Sequence, residues 1–247
     1  IGHAPLPALI DPEAGSVLAI AEALTNIVWT PLKDGLDGVS LSANWMWPSK
    51  NAGEDARLYR AVEACSDFAC SLGINIPTGK DSLSMTQKYP NGDKVFAPGT
   101  VIISAGAEAT NIKNVINPVV VNDTKTTIYY IDFSFDTFKL GGSVLAQTLG
   151  KIGNETPTVN DAEYFKEAFN SIQELIEKNL ILAGHDISEG GMITALLEMC
   201  FANTKGGLKI DLDYLAENSL VKILFAENPG VLVQIKDTKS VEKILRE

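Results

Sequence analysis

The sequence predicts an α/β fold, in part α+β, that is built in layers. Short β-branched runs alternate along the chain with amphipathic helical runs. Of the 247 residues 45% are hydrophobic, which is enough for a large core. The chain also changes character near residues 110–117, where a polar stretch passes into an apolar one. We therefore expect two lobes, residues 1–110 and residues 111–247.

The elements of the first lobe follow from capping residues and periodicity. A helix is predicted over residues 12–29, because Asp11 can cap its N-terminus and Pro31 ends it. A second helix over residues 52–72 has an apolar stripe at helical spacing and stops at Gly73. The other predictions are a strand over 38–44, an aromatic loop over 45–48, a polar loop over 78–85, a hairpin turn at Asn91-Gly92 and a strand over 100–107.

The second lobe continues the alternation of strands and helices. Its predicted elements are a strand over 126–133, a glycine turn at 141–142 with a helix to 149, a helix over 161–179, a central segment over 182–192, a helix over 193–202, a strand over 208–212, a short helix near Ser219 and a strand over 230–235.

Composition narrows the classes of function. The formal net charge of -11 argues against nucleic acid or an anionic membrane as a partner, since either needs a basic surface. Three cysteines without paired spacing favour reduced thiols in the cytoplasm, and we expect Cys65, Cys70 and Cys200 to pack as core residues. No apolar run reaches about 18 residues. The chain begins without methionine and ends within an amphipathic segment, so we expect a slice of a longer polypeptide.

The central segment carries the strongest local hint of a site. A strand-like run delivers Asp186, Ser188 and Glu189 just before two glycines and a helix. Carboxylates and a hydroxyl beside free backbone N–H groups suit magnesium and phosphate. The alternative is purely structural, with Ser188 or Glu189 capping the helix that begins near Gly190.

Other polar groups are ambiguous when taken singly. Lys80, Asp81 and Ser82 offer a cation, a carboxylate and a hydroxyl, but the segment fails the Walker pattern and is equally typical of a turn. Glu22 and Asn26 share a helix face and could supply oxygen ligands to magnesium, or could simply be solvated. The remaining candidates are His185 as a hydrogen-bonded loop residue, His3 in a frayed terminus, the 141–142 turn as a phosphate turn, and the 225–230 turn with a carboxylate facing some site.

Five motifs in order carry a family resemblance: A-E-A-L-T-N (21–26), L-S-A-N-W-M (41–46), G-E-D-A-R-L-Y (53–59), I-P-T-G-K-D-S-L-S-M (76–85) and H-D-I-S-E-G-G (185–191). With these motifs the chain closely resembles the large, single-chain phosphoribosylformylglycinamidine synthases of purine biosynthesis. The resemblance covers residues 4–235. It implies a two-lobed fold similar to aminoimidazole ribonucleotide synthetase, and it assigns the chain to the second synthetase-like half, with the first lobe truncated.

The resemblance also implies a reaction and a site. The parent enzyme would be an ATP-dependent amidoligase that converts formylglycinamide ribonucleotide with ammonia from a glutaminase domain, and this half would hold an auxiliary Mg-ADP. By motif match, Glu22, Asn26 and Asp186 would bind Mg²⁺ and Ser188 would contact the ATP or ADP. Lys80, Asp81 and Ser82 would serve either the catalytic or the auxiliary site. A further aspartate of the family's magnesium site lies upstream of Ile1, so the magnesium site is expected to be incomplete.

Two rival functions stay open at the level of the sequence. One is a non-catalytic, structural nucleotide-binding module, and the other is a self-standing synthetase of the same superfamily. We expect the isolated chain to be cytoplasmic and inactive, to pack against the other domains of its parent, and to be capable of forming a homodimer through the exposed half-interface.

Overall fold

Residues 1–246, which the computed structural model describes, form one mixed sheet and two antiparallel sheets, with helices flanking them. The strands are β1 (Gly2–His3), β2 (Ser40–Met46), β3 (Asn75–Ser82), β4 (Thr86–Lys88), β5 (Lys94–Phe96), β6 (Thr100–Gly106), β7 (Thr127–Asp132), β8 (Ile181–Asp186) and β9 (Gly230–Ile235). The α-helices are α1 (Pro5–Ile10), α2 (Pro12–Ile27), α3 (Glu54–Leu72), α4 (Val144–Thr148), α5 (Ala162–Glu177), α6 (Gly191–Phe201), α7 (Leu220–Phe225) and α8 (Thr238–Ile244). The predicted α/β class is confirmed. Among the described residues, no helix is both long and apolar enough to cross a membrane.

The first sheet has the strand order β1-β6-β2-β3. Strand β2 lies in its middle and pairs antiparallel with β6 and parallel with β3. Leu41 and Ala43 of β2, like Val101 and Ile103 of β6, are buried at alternate positions, so one face of this sheet joins the core. Helix α2 packs against β6 and α3, which covers that face. As predicted, the Asp11 side chain caps α2 by accepting from the N–H groups of residues 13 and 14.

The second sheet has the order β7-β9-β8, with both pairs antiparallel. Every residue of the central strand β9 is buried. One large hydrophobic cluster joins this sheet, α5 and α2, and a smaller one lies around α6 and α7. The lobe boundary at residue 110 stays a prediction, and the large cluster contains residues from both sides of it.

A buried glutamine ties the two parts of the chain together. Gln173 of α5 accepts a hydrogen bond from the Leu32 N–H at 2.8 Å and donates to the Val28 and Thr30 carbonyls at 2.6 and 3.2 Å. These backbone groups follow the C-terminus of α2, where a helix leaves carbonyls unpaired. The end of α2 is thereby fixed against α5.

The predicted polar loop over residues 78–85 is wrong over most of its length. Residues up to Ser82 belong to β3, which pairs with β2 in parallel register, Ala43 beside Gly79 and Asn44 beside Lys80. Most β3 side chains are exposed, so the strand lacks the apolar alternation by which strands are recognised. The aromatic loop is also wrong in part, because Trp45 and Met46 complete β2.

Three smaller predictions are wrong as well. Residues 208–212 lie outside any strand. Cys70 is exposed and Cys200 half-buried, which leaves Cys65 as the fully packed thiol of the three. His3 is part of β1 rather than a frayed end. The hairpin turn at Asn91-Gly92, which joins β4 to β5, is confirmed, with Gly92 at φ 93°.

Candidate functional site

A cavity of about 300 Å³ opens where the N-terminal segment, α2, and the turns before α4 and α6 meet. Its wall combines apolar groups, several of them from prolines, with carboxylates and hydroxyl-bearing residues. The lining residues used below are His3, Glu22, Val144, Ser188, Glu189 and Glu227. Concave, largely apolar cavities with a few polar groups are where small molecules bind.

Helix α2 presents Glu22 to this cavity. One oxygen of its carboxylate, Oε2, accepts from the His3 N–H at 3.0 Å, and Oε1 accepts from the Ser188 hydroxyl at 3.0 Å. Glu22 and Ser188 are 166 residues apart in sequence, so the fold joins the helix motif to the central segment. The ring nitrogen Nε2 of His3 is buried and has no hydrogen-bond partner within residues 1–246.

Asp186 and Asn26 lie next to this pair but are not part of the cavity wall. Asp186 ends β8, and its Oδ1 accepts from the Trp29 indole N–H at 3.3 Å. Asn26 is exposed, and its amide nitrogen donates to the carbonyls of Glu22 and Ile1 at 2.8 and 3.2 Å. No described hydrogen bond uses the Asn26 Oδ1 atom within residues 1–246, which leaves this oxygen available as a ligand.

The central segment positions Ser188 differently from the capping alternative. Gly190, not Ser188 or Glu189, is the N-cap residue of α6, and no side chain caps this helix. The prediction of a side-chain cap is therefore wrong. Gly190 and Gly191 take φ values of 91° and 74°, which favour glycine. A Cβ on Gly191 would lie 2.8 Å from backbone atoms of Leu224 and Phe225, so this turn packs directly on the end of α7.

That packing brings in Glu227, two residues beyond α7. Its Oε1 atom accepts from the Gly190 N–H and from the Val144 N–H, each at 2.8 Å. The carboxylate thus bridges the turn before α6 and the turn before α4. The sequence suggested only a turn with a carboxylate facing some site, and the Asn-Pro-Gly that follows Glu227 was its one signal.

The cavity is electrostatically unbalanced. Burial raises the pKa of the Glu22 carboxyl, and the charges of Glu189 and Asp186 act in the same direction, against the hydrogen bonds from His3 and Ser188. Burial also raises the pKa of Glu227, again with Glu189 and Glu22 adding to the effect. Of the residues that the structure describes, no lysine or arginine lines the cavity. Half-buried carboxylates without a counter-charge in the cavity wall fit a cation.

The donor set suits magnesium held jointly with a ligand. Among the described residues, no group of three His, Cys, Asp or Glu side chains is placed to hold a metal by itself. Magnesium is commonly bound by one or two carboxylates together with phosphate oxygens and waters. Glu22 and Asp186, with the free amide oxygen of Asn26, offer such a partial set.

The other candidate group lies elsewhere. Lys80 and Asp81 are exposed on β3, and the Lys80 ammonium donates to the Ser82 hydroxyl at 2.7 Å. None of the three lines the cavity. Their neighbour on β2, Asn44, has a buried Oδ1 atom without a hydrogen-bond partner in the described part of the chain. His185 is hydrogen-bonded as predicted, with Nδ1 2.7 Å from the Asp186 carbonyl, but it belongs to β8 rather than to a loop.

Comparison with known proteins gives two family matches. Residues 1–108 match the FGAR-AT PurM_N-like domain, and residues 137–247 match the C-terminal domain of AIR synthase related proteins. The chain is 42% identical over 241 residues to a probable phosphoribosylformylglycinamidine synthase, chloroplastic/mitochondrial, of Arabidopsis thaliana, covering 96% of this chain and 17% of that protein. It is 40% identical to a probable synthase of Caenorhabditis elegans and 36% identical to the synthase of Homo sapiens, covering 100% of this chain and 19% and 18% of those proteins.

Solved structures share the fold at low sequence identity. T. maritima PurL complexed with FGAR superposes with a TM-score of 0.69 at 13% identity, covering 99% of this chain and 39% of that one. The complex of the same protein with ADP gives 0.63 at 14% identity, over 97% and 36% of the two chains. The hydrogenase maturation protein HypE in complex with ATP gives 0.57 at 14% identity, over 94% and 66%. At these identities the similarity supports the fold alone.

Proposed function

This chain belongs to the phosphoribosylformylglycinamidine synthase family, and we propose on that premise that it is part of the second synthetase-like half of such an enzyme. The parent would convert formylglycinamide ribonucleotide, glutamine and ATP to formylglycinamidine ribonucleotide, ADP, phosphate and glutamate. The chain spans less than a fifth of the length of the relatives it matches. The ammonia-producing glutaminase would belong to other parts of the parent, so we expect no turnover from this chain alone.

We further propose that the cavity beside α2 is an auxiliary Mg-nucleotide site. Glu22, Asn26 and Asp186 would hold the metal, and Ser188 would contact the nucleotide. The observation that supports this proposal is the contact between Ser188 and Glu22 on the wall of a cavity whose carboxylates have no lysine or arginine beside them among the described lining residues. A bound magnesium ion would neutralise both these carboxylates and the phosphates.

The residues of the chain then have separate tasks. The His3 N–H and the Ser188 hydroxyl hold the Glu22 carboxylate in one orientation. The Trp29 indole does the same for Asp186. Such supporting hydrogen bonds commonly change metal affinity about 10–100-fold when they are removed. Lys80, Asp81 and Ser82 stay candidates for the catalytic site of the parent, because they lie apart from this cavity.

Calorimetric titration of the chain with ADP and Mg²⁺ tests the auxiliary site. We expect binding that weakens at least about tenfold in Glu22→Gln, Asp186→Asn and Ser188→Ala. Glu167→Gln is the matched control, since Glu167 is exposed on α5, distant in sequence from the site, and outside the cavity wall. Absent binding, or binding that none of the three site substitutions weakens, would overturn the proposal.

A further inference from the structure

Among the cavity carboxylates of residues 1–246, Glu227 alone is hydrogen-bonded to two backbone N–H groups from separate turns. Its Oε1 atom accepts from Val144 N–H and Gly190 N–H, both at 2.8 Å. Backbone N–H groups at such turns are the donors that commonly bind phosphate oxygens. Here a carboxylate of the protein already takes two of them, in the place where an anion would otherwise be bound.

The surroundings add to the effect on an anion. Within the described residues, the cavity wall has carboxylates at Glu22, Glu189 and Glu227 and neither lysine nor arginine. The Ser188 hydroxyl and the His3 N–H, which could also donate to a phosphate, both donate to Glu22. A polyphosphate without metal would therefore meet like charges and few free donors. A polyphosphate complexed with divalent metal would bring the missing positive charge.

We propose that Glu227 makes this cavity selective for metal-complexed nucleotides over metal-free ones, by occupying two phosphate-type donors with its own negative charge. This inference rests on the proposed Mg-nucleotide site and adds a specificity residue to it. Glu227 need not touch the metal. Its role is to penalise a bare phosphate, so that the neutralised complex binds more tightly than the metal-free nucleotide.

The selectivity is measured as the ratio of two dissociation constants, that for ADP in EDTA over that for ADP in excess Mg²⁺. Glu227→Gln is the main variant, because the amide oxygen of glutamine can still accept from both N–H groups while the charge is removed. We expect the ratio to fall at least about tenfold, through tighter binding of metal-free ADP, since removing a half-buried like charge from the cavity wall has an effect of that order. Glu227→Ala also frees the two N–H groups and should lower the ratio at least as far.

Two comparisons make the test specific to Glu227. Glu189→Gln removes a carboxylate that also lines the cavity but is exposed and holds no backbone N–H, so its effect on the ratio should be clearly smaller. Hydrogen exchange at the Val144 and Gly190 amides should stay slow in Glu227→Gln and become faster in Glu227→Ala. An unchanged ratio in Glu227→Gln, or an equal fall in Glu189→Gln, overturns the inference while the site itself stands. If the unsubstituted chain binds neither form of ADP, the proposed site and this inference both fail.

Discussion

Gly184→Ala should test the packing that holds Asp186 in place. Gly184 lies in β8, two residues before Asp186, against the indole ring of Trp29. A Cβ at this position would be 2.1 Å from Cζ3 of the ring, whereas ordinary contact begins at 3.4 Å. The ring must therefore move by about 3.4 − 2.1 = 1.3 Å.

The displaced ring cannot keep its hydrogen bond. The Trp29 indole N–H donates to the Asp186 carboxylate at 3.3 Å, already near the limit of a useful bond. Overpacking a buried site costs about 1–3 kcal/mol, and losing a hydrogen bond to a charged group costs about 1.5–3 kcal/mol. Because the ring movement relieves part of the first cost, we expect a total loss of about 2–5 kcal/mol in the free energy of unfolding.

Urea denaturation followed by circular dichroism measures this loss as a lower midpoint at unchanged slope. Titration with Mg-ADP should show weaker binding as well, since Asp186 loses the group that orients it. Gly207→Ala is the matched control, because a Cβ on this exposed glycine meets nothing within 4 Å. In a Trp29→Leu background the clash disappears, so adding Gly184→Ala should then cost less than about 0.5 kcal/mol. An equal cost in both backgrounds would refute the reasoning.

Two further substitutions test the hydrogen bonds of buried Gln173 and the raised pKa of Glu22. Gln173→Leu leaves the Leu32 N–H and the Val28 and Thr30 carbonyls unpaired beside α5. We expect urea denaturation to show a loss of about 3–5 kcal/mol in the free energy of unfolding. A change within about 0.5 kcal/mol would contradict the role assigned to Gln173. Burial raises the pKa of Glu22 in the folded state. The folded protein therefore loses stability as the pH rises from about 4.5 through that raised pKa, because the carboxyl must then ionise in the cavity. Glu22→Gln removes this ionisation and should stabilise the metal-free chain at pH 7. Thermal unfolding in EDTA should show that the extra stability of Glu22→Gln disappears below about pH 4.5. A variant that is no more stable than the unsubstituted chain at pH 7 would show that ionised Glu22 does not destabilise the fold.

Local signals predicted the elements that have them. Asp11 is predicted to cap α2, and its side chain does accept from backbone N–H groups of the first turn. Asp161, the first residue of the helix predicted over 161–179, is the N-cap of α5 and accepts from first-turn N–H groups in the same way. Gly73 ends α3 at φ 77°, as a glycine stop should. Strand β3 had no such signal, because most of its side chains point into solvent and its partner, β2, is about 35 residues away in sequence. Pairing with a distant strand, not local propensity, makes this segment a strand.

In the candidate site, too, the residue types are visible in the sequence while their partners are set by the fold. Local pattern finds residue types suited to metal or phosphate at Glu22, Asn26, Asp186 and Ser188 but leaves structural alternatives open, and only the family resemblance assigns these residues to a site. It could not give the partners that decide what those residues do. The Ser188 hydroxyl could cap a helix or hold Glu22, and only the packing of the second sheet against α2 selects the latter.

Glu227 is the site residue whose hydrogen-bond partners are hardest to predict from the sequence. Its two donors come from positions 37 and 83 residues earlier, so no window of sequence contains them together. Side chains that a chain buries at a cost in stability are usually retained for function. Glu22 and Glu227 both have pKa values raised by burial and both face one cavity without a counter-charge in its wall. Because both carboxylates line this cavity, a cation that binds there would stabilise the folded chain.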